Sequence, residues 1–204
     1  RHNGDLTKDI KVAFTTKASA QMAAENGLGQ MFVSGADLNE MTTQVQMFNT
    51  IRSELGLPPD QPTTLLWMYC AETEEEAEEG WEYFYDQLTA AQHHYFEWNN
   101  PGFDGIHGYE EYLERQTADI GTADAGFAAR RGTMPIGTPD QIIEKIKRLQ
   151  ETISLEKIVV HVFYGGMPRD KAEKSLRLFA ERVLPAVQAM HTPINPMSLG
   201  DPVR

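Results

Sequence analysis

The sequence is poor in cysteine, in positive charge and in long apolar runs. A single cysteine, Cys70, stands among 204 residues, so no intramolecular disulfide can form and a reducing compartment is favoured. No apolar run approaches the roughly 18 residues that a membrane-spanning helix needs. Eighteen basic residues against 30 acidic ones give a formal net charge of −12, which argues against nucleic acid and anionic membranes as partners. We therefore expect a cytoplasmic protein.

The composition is that of a globular domain. Hydrophobic residues make up 41% of the chain and charged residues 24%, which is enough apolar material to bury a core. The length exceeds a typical domain of about 100–150 residues but is below the roughly 250 residues of a closed (β/α)₈ barrel. Residues 1–5 contain neither an initiator methionine nor an apolar signal segment. We expect that the sequence is part of a larger domain and begins within it.

Short β-prone runs alternate with segments of helical periodicity. The four runs cover residues 11–15, 30–34, 63–71 and 157–164. This alternation predicts parallel βαβ units with right-handed crossovers, and four such units make half a (β/α)₈ barrel. An open doubly wound sheet is the competing architecture, although no G-x-G-x-x-G motif follows the first strand.

Helix starts and buried faces are visible at several positions. Thr73 stands three residues before Glu76, a capping-box pattern that predicts a helix with an acidic, solvated first turn. Thr138, followed by a proline, is expected to cap another helix. The last helix is expected to bury Leu176, Phe179, Ala180, Val183, Leu184 and Val187.

Two stretches lack this periodicity. Residues 93–136 contain scattered aromatic and glycine residues. They are predicted to form a lid-like insertion within a unit spanning residues 1–190. Residues 191–204 are predicted to be an extended tail. His93 and His94 adjoin each other at the start of the insertion, but neighbours on a helix point about 100° apart, so no metal site is expected there.

The first strand-to-helix turn, Thr15-Thr16-Lys17-Ala18-Ser19, is the sharpest candidate for a binding site. Hydroxyl side chains between a parallel strand and a helix combine with free backbone N–H groups and the positive end of the helix dipole. Lys17 adds a positive charge. The turn predicts a phosphate cradle. The alternative is that Ser19 only caps the helix and the threonines only favour the strand.

Several motifs together resemble one family of enzymes. They are residues 15–24, Gly137-Thr138-Pro139, Gly165-Gly166-Met167-Pro168, and the segment 175–185 with the sequence SLRLFAERVLP. In order and spacing, from about residue 5 to residue 188, they resemble the C-terminal half of bacterial-luciferase-like flavin-dependent monooxygenases. The last motif is the most specific of the four.

The resemblance implies a TIM barrel that binds reduced FMN, with this chain supplying strands five to eight. Thr15, Thr16, Lys17 and Ser19 then lie at the flavin phosphate, with the hydroxyls of Thr16 and Ser19 holding it. Ser34 and Gly35, a pair after the second strand, match positions beside the flavin. The reduced cofactor would come from a separate flavin reductase.

The family's first four strands, which carry its usual catalytic histidine, have no counterpart in this sequence. The catalytic residues are therefore unknown. Half a barrel leaves two sheet edges open, which is an aggregation hazard unless another polypeptide covers them. We expect an N-terminal half-barrel or a second subunit as partner, and an oligomeric protein.

Aromatic residues at the carboxyl ends of strands are candidates for a substrate pocket. Tyr69, Trp98 and Tyr164 are expected to line it. Trp67 fits such a pocket and an ordinary core equally well. His161 is interpreted as a hydrogen-bonded core or barrel-lining histidine. Cys70, which has no basic neighbour in sequence, is interpreted as an inert core thiol.

The predicted function is that of a monooxygenase that uses reduced FMN and O₂ to oxygenate a small apolar molecule. In such an enzyme the flavin carries the redox chemistry and the protein supplies position, dryness and electrostatics. One alternative is a deazaflavin-dependent oxidoreductase of the same superfamily, which transfers hydride. Another is a non-catalytic flavin-binding or assembly subunit, because the N-terminal half is absent.

Overall fold

The computed structural model describes residues 9–14, 16–33, 38–95, 105, 128, 130–191 and 194. Within these ranges, only the backbone is described for Val33 and for residues 91–95. Strands and helices follow one another in a regular βα order. They are β1 (Lys11–Ala13), α1 (Lys17–Glu25), β2 (Gly29–Val33), α2 (Leu38–Glu54), β3 (Thr63–Trp67), β4 (Tyr69–Cys70), α3 (Glu74–Tyr95), β5 (Ile136–Gly137), α4 (Pro139–Ile153), β6 (Lys157–His161), α5 (Arg169–Leu178), a π-helical turn (Phe179–Val183) and α6 (Leu184–Gln188).

The main sheet has four parallel strands in the order β1-β2-β3-β6. Right-handed crossovers that always step in the same direction across a sheet place every connecting helix on one face. The packing agrees, because α1 contacts α2 and α2 contacts α4. A doubly wound sheet needs a reversal of strand order, so the structure supports the winding of a barrel and rejects the alternative.

The predicted strand at residues 63–71 is two strands rather than one. The strand is interrupted after β3 at Met68, whose N–H donates to His161 O at 3.0 Å. It then resumes as β4, which leaves the main sheet and pairs in parallel with β5, opposing Cys70 to Gly137. The sequence analysis missed β5, because two residues between a proline and a helix cap carry no measurable period.

The helix boundaries follow the capping residues. Gly27 ends α1 with a φ of +70°, and its N–H donates to Ala24 O at 2.9 Å. Thr138 is the N-cap of α4, and its N–H donates to Gln141 Oε1 at 3.1 Å. At the start of α3, Glu76 N–H donates to the Thr73 hydroxyl at 3.2 Å. The two predicted caps are thus confirmed.

The core lies between the sheet and its helices and continues under α3. The main cluster joins Phe32, Leu66, Met41, Val45, Leu149 and Ile153 to Trp81 and Phe84 of α3. A second cluster packs Met68 and Cys70 against Ile142 and Ile146 of α4 and against Leu178, Phe179 and Val183. Burial of this kind stabilises the fold by roughly 25 cal/mol per Å² of apolar surface.

The last helix buries a different face from the one predicted. Phe179 and Val183 are buried as expected, but Leu176 is 42% exposed, Leu184 is 38% exposed and Ala180 is exposed too. Leu178 is buried instead. The buried positions Ala172, Ser175, Phe179 and Val183 follow one another at three- and four-residue steps and form one helical face, whereas Leu176, Ala180 and Leu184 each lie one residue past that face.

One side of β6 is uncovered by the described residues. The strand alternates exposed and half-buried side chains, with Val159 44% exposed, and Phe163 just beyond it is 57% exposed. The strand is also at the edge of its sheet. The predicted insertion and tail lie almost wholly outside the described residues. None of the helices in the described ranges is long and apolar enough to cross a membrane.

Candidate functional site

The carboxyl ends of the parallel strands form one edge of the sheet, and α3 packs against it. After β6, Gly165 N–H donates to Gln87 Oε1 of α3 at 3.2 Å. The ring of Phe84, also on α3, lies 5.5 Å from the ring of Trp67 at the end of β3. Ligands of (β/α) folds bind at this end of the strands. The arrangement gives a candidate site walled by α3.

The turn before α1 has the geometry of a double hydroxyl cradle. Thr16 is the N-cap of α1, and its Oγ1 accepts from Ser19 N–H at 3.3 Å and donates to Ser19 Oγ at 3.1 Å. Thr16 is buried, Ser19 is half-buried and Lys17 is exposed. The cap is therefore Thr16 and not Ser19, which corrects the alternative interpretation. Thr15 lies outside the described residues.

A second group of side chains lies at the ends of β3 and β6. The rings of Trp67 and His161, which face each other in register, are 6.2 Å apart, and His161 is 5.9 Å from Tyr164. Both Trp67 Nε1 and the Tyr164 hydroxyl are buried and have no hydrogen-bond partner in the described part of the chain. Burial, followed by the nearby Tyr69, raises the pKa of Tyr164 above its usual range, so its hydroxyl keeps its proton.

Tyr69 is close to this group but differs from Tyr164 in its bonding. Its hydroxyl donates to Glu79 Oε2 at 3.3 Å, and its ring lies 6.1 Å from that of Tyr83. Burial, and then the charge of Glu79, raise its pKa above the ordinary value. Trp98, the third predicted pocket residue, lies outside the described ranges, as do Ser34 and Gly35.

Two other sequence interpretations have clear outcomes. His161 is exposed, so its interpretation as a hydrogen-bonded core histidine is wrong, while a position on the barrel lining stays a prediction. Cys70 is 2% exposed, and burial raises the pKa of its thiol to about 12. A thiol in that state is inert at neutral pH, as predicted.

The sequence analysis missed a cleft between α3 and the start of α4, which we call the α3–α4 cleft. Its volume is about 610 Å³ and it is lined by Glu74, Ala77, Glu78, Trp81, Arg131, Ile136, Gly137, Asp140, Gln141, Glu144 and Lys145. These residues come from two segments, 74–81 and 131–145, that lie far apart in the chain, so no local pattern could reveal the cleft. Within the described ranges, no group of three or more His, Cys, Asp or Glu side chains is placed to hold a metal ion.

The sequence of residues 8–155 matches the family model for luciferase-like monooxygenases. The chain belongs to the luciferase-like monooxygenase family. That match confirms the resemblance, and it includes the turn before α1 and the motif Gly137-Thr138-Pro139. None of the curated proteins compared with the chain matches it.

Solved structures of luciferase-like enzymes share the fold. The monooxygenase RslO1 from Streptomyces bottropensis is 26% identical with a TM-score of 0.56, covering 86% of this chain and 47% of its own. The oxygenating constituent of 3,6-diketocamphane monooxygenase, from the CAM plasmid of Pseudomonas putida and in complex with FMN, is 22% identical with a TM-score of 0.58, covering 87% and 48%. An F420-dependent secondary alcohol dehydrogenase in complex with an F420–acetone adduct is 14% identical with a TM-score of 0.52, covering 87% and 48%.

The coverage shows how much of the luciferase-like fold is present. The chain spans about half the length of these three structures. Together with the singly wound parallel sheet, this makes the chain a partial barrel of the TIM type. The predicted fold class is confirmed.

Proposed function

We propose that this chain is the phosphate-binding part of a flavin-dependent monooxygenase and acts with reduced FMN, O₂ and a small, largely apolar organic substrate. The observation that carries the proposal is the hydroxyl pair of Thr16 and Ser19, 3.1 Å apart at the N-terminus of α1. The FMN complex of the camphor-plasmid enzyme and the family match support it.

The residues at this turn fit a phosphate. Two hydroxyls 3.1 Å apart lie within reach of one phosphate group, they are at the N-terminus of α1, where the helix dipole favours an anion, and the exposed Lys17 adds positive charge. Thr16 and Ser19 would donate to phosphate oxygens, with Thr15 as a third hydroxyl. Ser34 and Gly35 are proposed to lie beside the ring system. Bound reduced flavin supplies the electrons that let O₂ oxygenate the substrate.

Tyr69 and Tyr164 are proposed to line the substrate pocket together with Trp98. Trp67 Nε1 and the Tyr164 hydroxyl, which have no partner among the described residues, favour a substrate that carries a hydrogen-bond acceptor on an otherwise apolar body. The Tyr69 hydroxyl is already bonded to Glu79, so we assign it to pocket shape rather than to substrate binding.

The double variant Thr16→Val with Ser19→Ala tests the cofactor site. A hydrogen bond to a charged group is worth about 1.5–3 kcal/mol, so FMN affinity should fall at least about tenfold. Riboflavin, which lacks the phosphate, should bind as before. Thr73→Val, which removes the cap of a different helix, is the matched control for loss of a helix cap. Equal weakening of FMN and riboflavin would refute the assignment.

One observation supports the alternative that the cofactor is a deazaflavin. The F420-dependent dehydrogenase shares the fold, and a deazaflavin carries a phosphate that the same turn would hold. Absorption spectra of the reduced complex in air separate the two, because reduced FMN is reoxidised by O₂ and a reduced deazaflavin is not. A chain that binds neither cofactor in titrations would instead support a non-catalytic assembly subunit.

We also propose that the remaining strands of the barrel come from an N-terminal half-barrel or a second subunit. β1 and β6 are the edge strands of the four-stranded sheet. Val159 in β6, Phe163 just after it and Leu176 in α5 have exposed side chains. Parallel sheets are found with both faces covered. In this arrangement residues 1–190 form the C-terminal half, with an insertion at 93–136 and a tail at 191–204, and a separate reductase supplies the reduced flavin.

A further inference from the structure

Lys145 places an amine in the α3–α4 cleft, away from the proposed cofactor turn. Its side chain is half-buried, and Nζ donates to the backbone oxygen of Ile136 at 2.7 Å. That bond holds the amine beside β5, next to the apolar surfaces of Ala77, Trp81 and Ile136. The amine therefore has a fixed position and an apolar wall.

A second cation lies close to this amine. Arg131 is 4.8 Å from the centre of the Trp81 ring, and Lys145 Nζ is 5.3 Å from the same ring. Glu78 holds Arg131 in place through bonds of 2.9 and 2.7 Å. Burial, followed by the charge of Arg131, lowers the pKa of Lys145 to about 8. A desolvated lysine beside another cation is the arrangement that makes an amine nucleophilic near neutral pH.

We propose that Lys145 forms an imine with a neutral aldehyde bound in the α3–α4 cleft. The volume of the cleft, about 610 Å³, lies within the range of pockets that bind organic ligands, about 300–1,000 Å³. The cleft is therefore much larger than a site for a small electrophile such as carbon dioxide needs to be. The charged groups that line the cleft are the carboxylates of Glu74, Glu78, Asp140 and Glu144 and the cations of Arg131 and Lys145. Four carboxylates against two cations disfavour an anionic aldehyde.

The chemistry needs only the amine and the aldehyde. The neutral Nζ of Lys145 adds to the aldehyde carbon, the carbonyl electron pair moves to oxygen, and one of the two Nζ protons is transferred to that oxygen. The resulting carbinolamine then loses its hydroxyl group together with the second Nζ proton as water, while the nitrogen lone pair forms the C=N bond. No oxidant or reductant is consumed, and water reverses the step.

Benzaldehyde with sodium cyanoborohydride is the probe, since hydride reduces the imine to a stable secondary amine. The 204-residue chain is treated at about pH 7.5, and peptide mass mapping follows each amine. We expect Lys145 to react at least about tenfold faster than Lys147, which lies on the same helix with its side chain 50% exposed. An amine with a pKa near 8 is neutral in about a quarter of molecules at that pH, against about one in a thousand for an ordinary lysine.

Three comparisons separate a built site from simple exposure. The anion 4-formylbenzoate should label Lys145 several-fold more slowly than benzaldehyde does. Arg131→Gln should slow labelling of Lys145 and leave Lys147 unchanged, whereas Lys147→Arg should leave Lys145 labelling intact. Equal rates at Lys145 and Lys147, or equal labelling of Lys145 by the two aldehydes, would overturn the proposal. The aldehyde comparison uses the unaltered chain and decides the question even where a variant does not fold.

Discussion

Gly165, in the turn after β6, lies directly against the backbone of Tyr83 in α3. A Cβ on Gly165 would be 1.9 Å from Tyr83 O, and the residue has a φ of +59°. The neighbouring Gly166 has a similar φ of +72° but nothing within 4 Å of its Cβ position. The close approach is thus what lets α3 lie against the carboxyl ends of the strands.

The two glycines make a matched pair for a stability test. Gly166→Ala should cost about 1–2 kcal/mol, because a left-handed conformation is strained for any residue with a Cβ. Gly165→Ala should cost about 1–3 kcal/mol more, because the methyl group has to displace the backbone of α3. Urea unfolding of both variants measures the difference. Equal losses would mean that α3 does not pack against this turn.

Tyr164 and Tyr69 allow a similar comparison of hydroxyl groups. Tyr164→Phe removes a buried hydroxyl that has no partner in the described chain, so the free energy of unfolding without ligand should stay the same or rise. Tyr69→Phe removes a hydroxyl bonded to Glu79 and should lower it by about 0.5–1.5 kcal/mol. Thermal unfolding of both variants is the measurement. A clear loss of stability in Tyr164→Phe would show that its hydroxyl has a structural partner.

Lys145 should make stability depend on pH in the alkaline range. Its pKa is about 8 in the folded chain and near the ordinary 10.5 in the unfolded chain. Between these values the unfolded state holds a proton that the folded state has lost, so Lys145 contributes stability that increases with pH. The raised pKa of the buried Cys70 thiol acts in the opposite direction above about pH 9, and it does so equally in both variants. Relative to Lys147→Met, Lys145→Met should therefore lose stability progressively as the pH rises. Urea unfolding from about pH 7.5 to 10.5 tests this, and parallel pH profiles for both variants would contradict it.

The uncovered side of β6 should make the isolated chain associate. Val159 and Phe163 are 44% and 57% exposed, and unpaired edge strands recruit further strands. Light scattering after size exclusion should give a mass above 23.0 kDa, with binding of an apolar-surface dye. Val159→Thr with Phe163→Ser should reduce both signals. A dye-negative monomer of the unaltered chain would count against the half-barrel arrangement.

The local elements were predictable from the sequence because their signals are local. The Thr138 cap, the end of α1 at Gly27 and the βα alternation depend on residues a few positions apart, and the structure reproduces them. Cys70 could be assigned as an inert thiol because it ends an apolar run and has no basic neighbour in sequence. The family motifs likewise lie in short segments, which is why the resemblance was visible before the fold.

Periodicity failed where packing against a distant segment decided the structure. The strand is interrupted at Met68 because β4 pairs with β5, a partner more than 60 positions away. The segment 169–188 buries a different face from the one predicted because Phe179 and Val183 pack against Ile142 and Ile146 of α4, which leaves the residues one position further along the chain exposed. The first turn of α3, predicted as merely solvated, also ion-pairs with α5, as Glu76 does with Lys174 at 3.1 Å.

The sequence by itself determined the class of fold and the family, and it located the turn that we propose binds a phosphate, since each of these signals lies in short segments of the chain. Only the tertiary structure decided the single winding of the sheet, the burial of the Trp67 and Tyr164 donors without a partner in the described ranges, and the low pKa of Lys145. Those properties arise from groups brought together across dozens of residues, because burial and charge act through space and not along the chain.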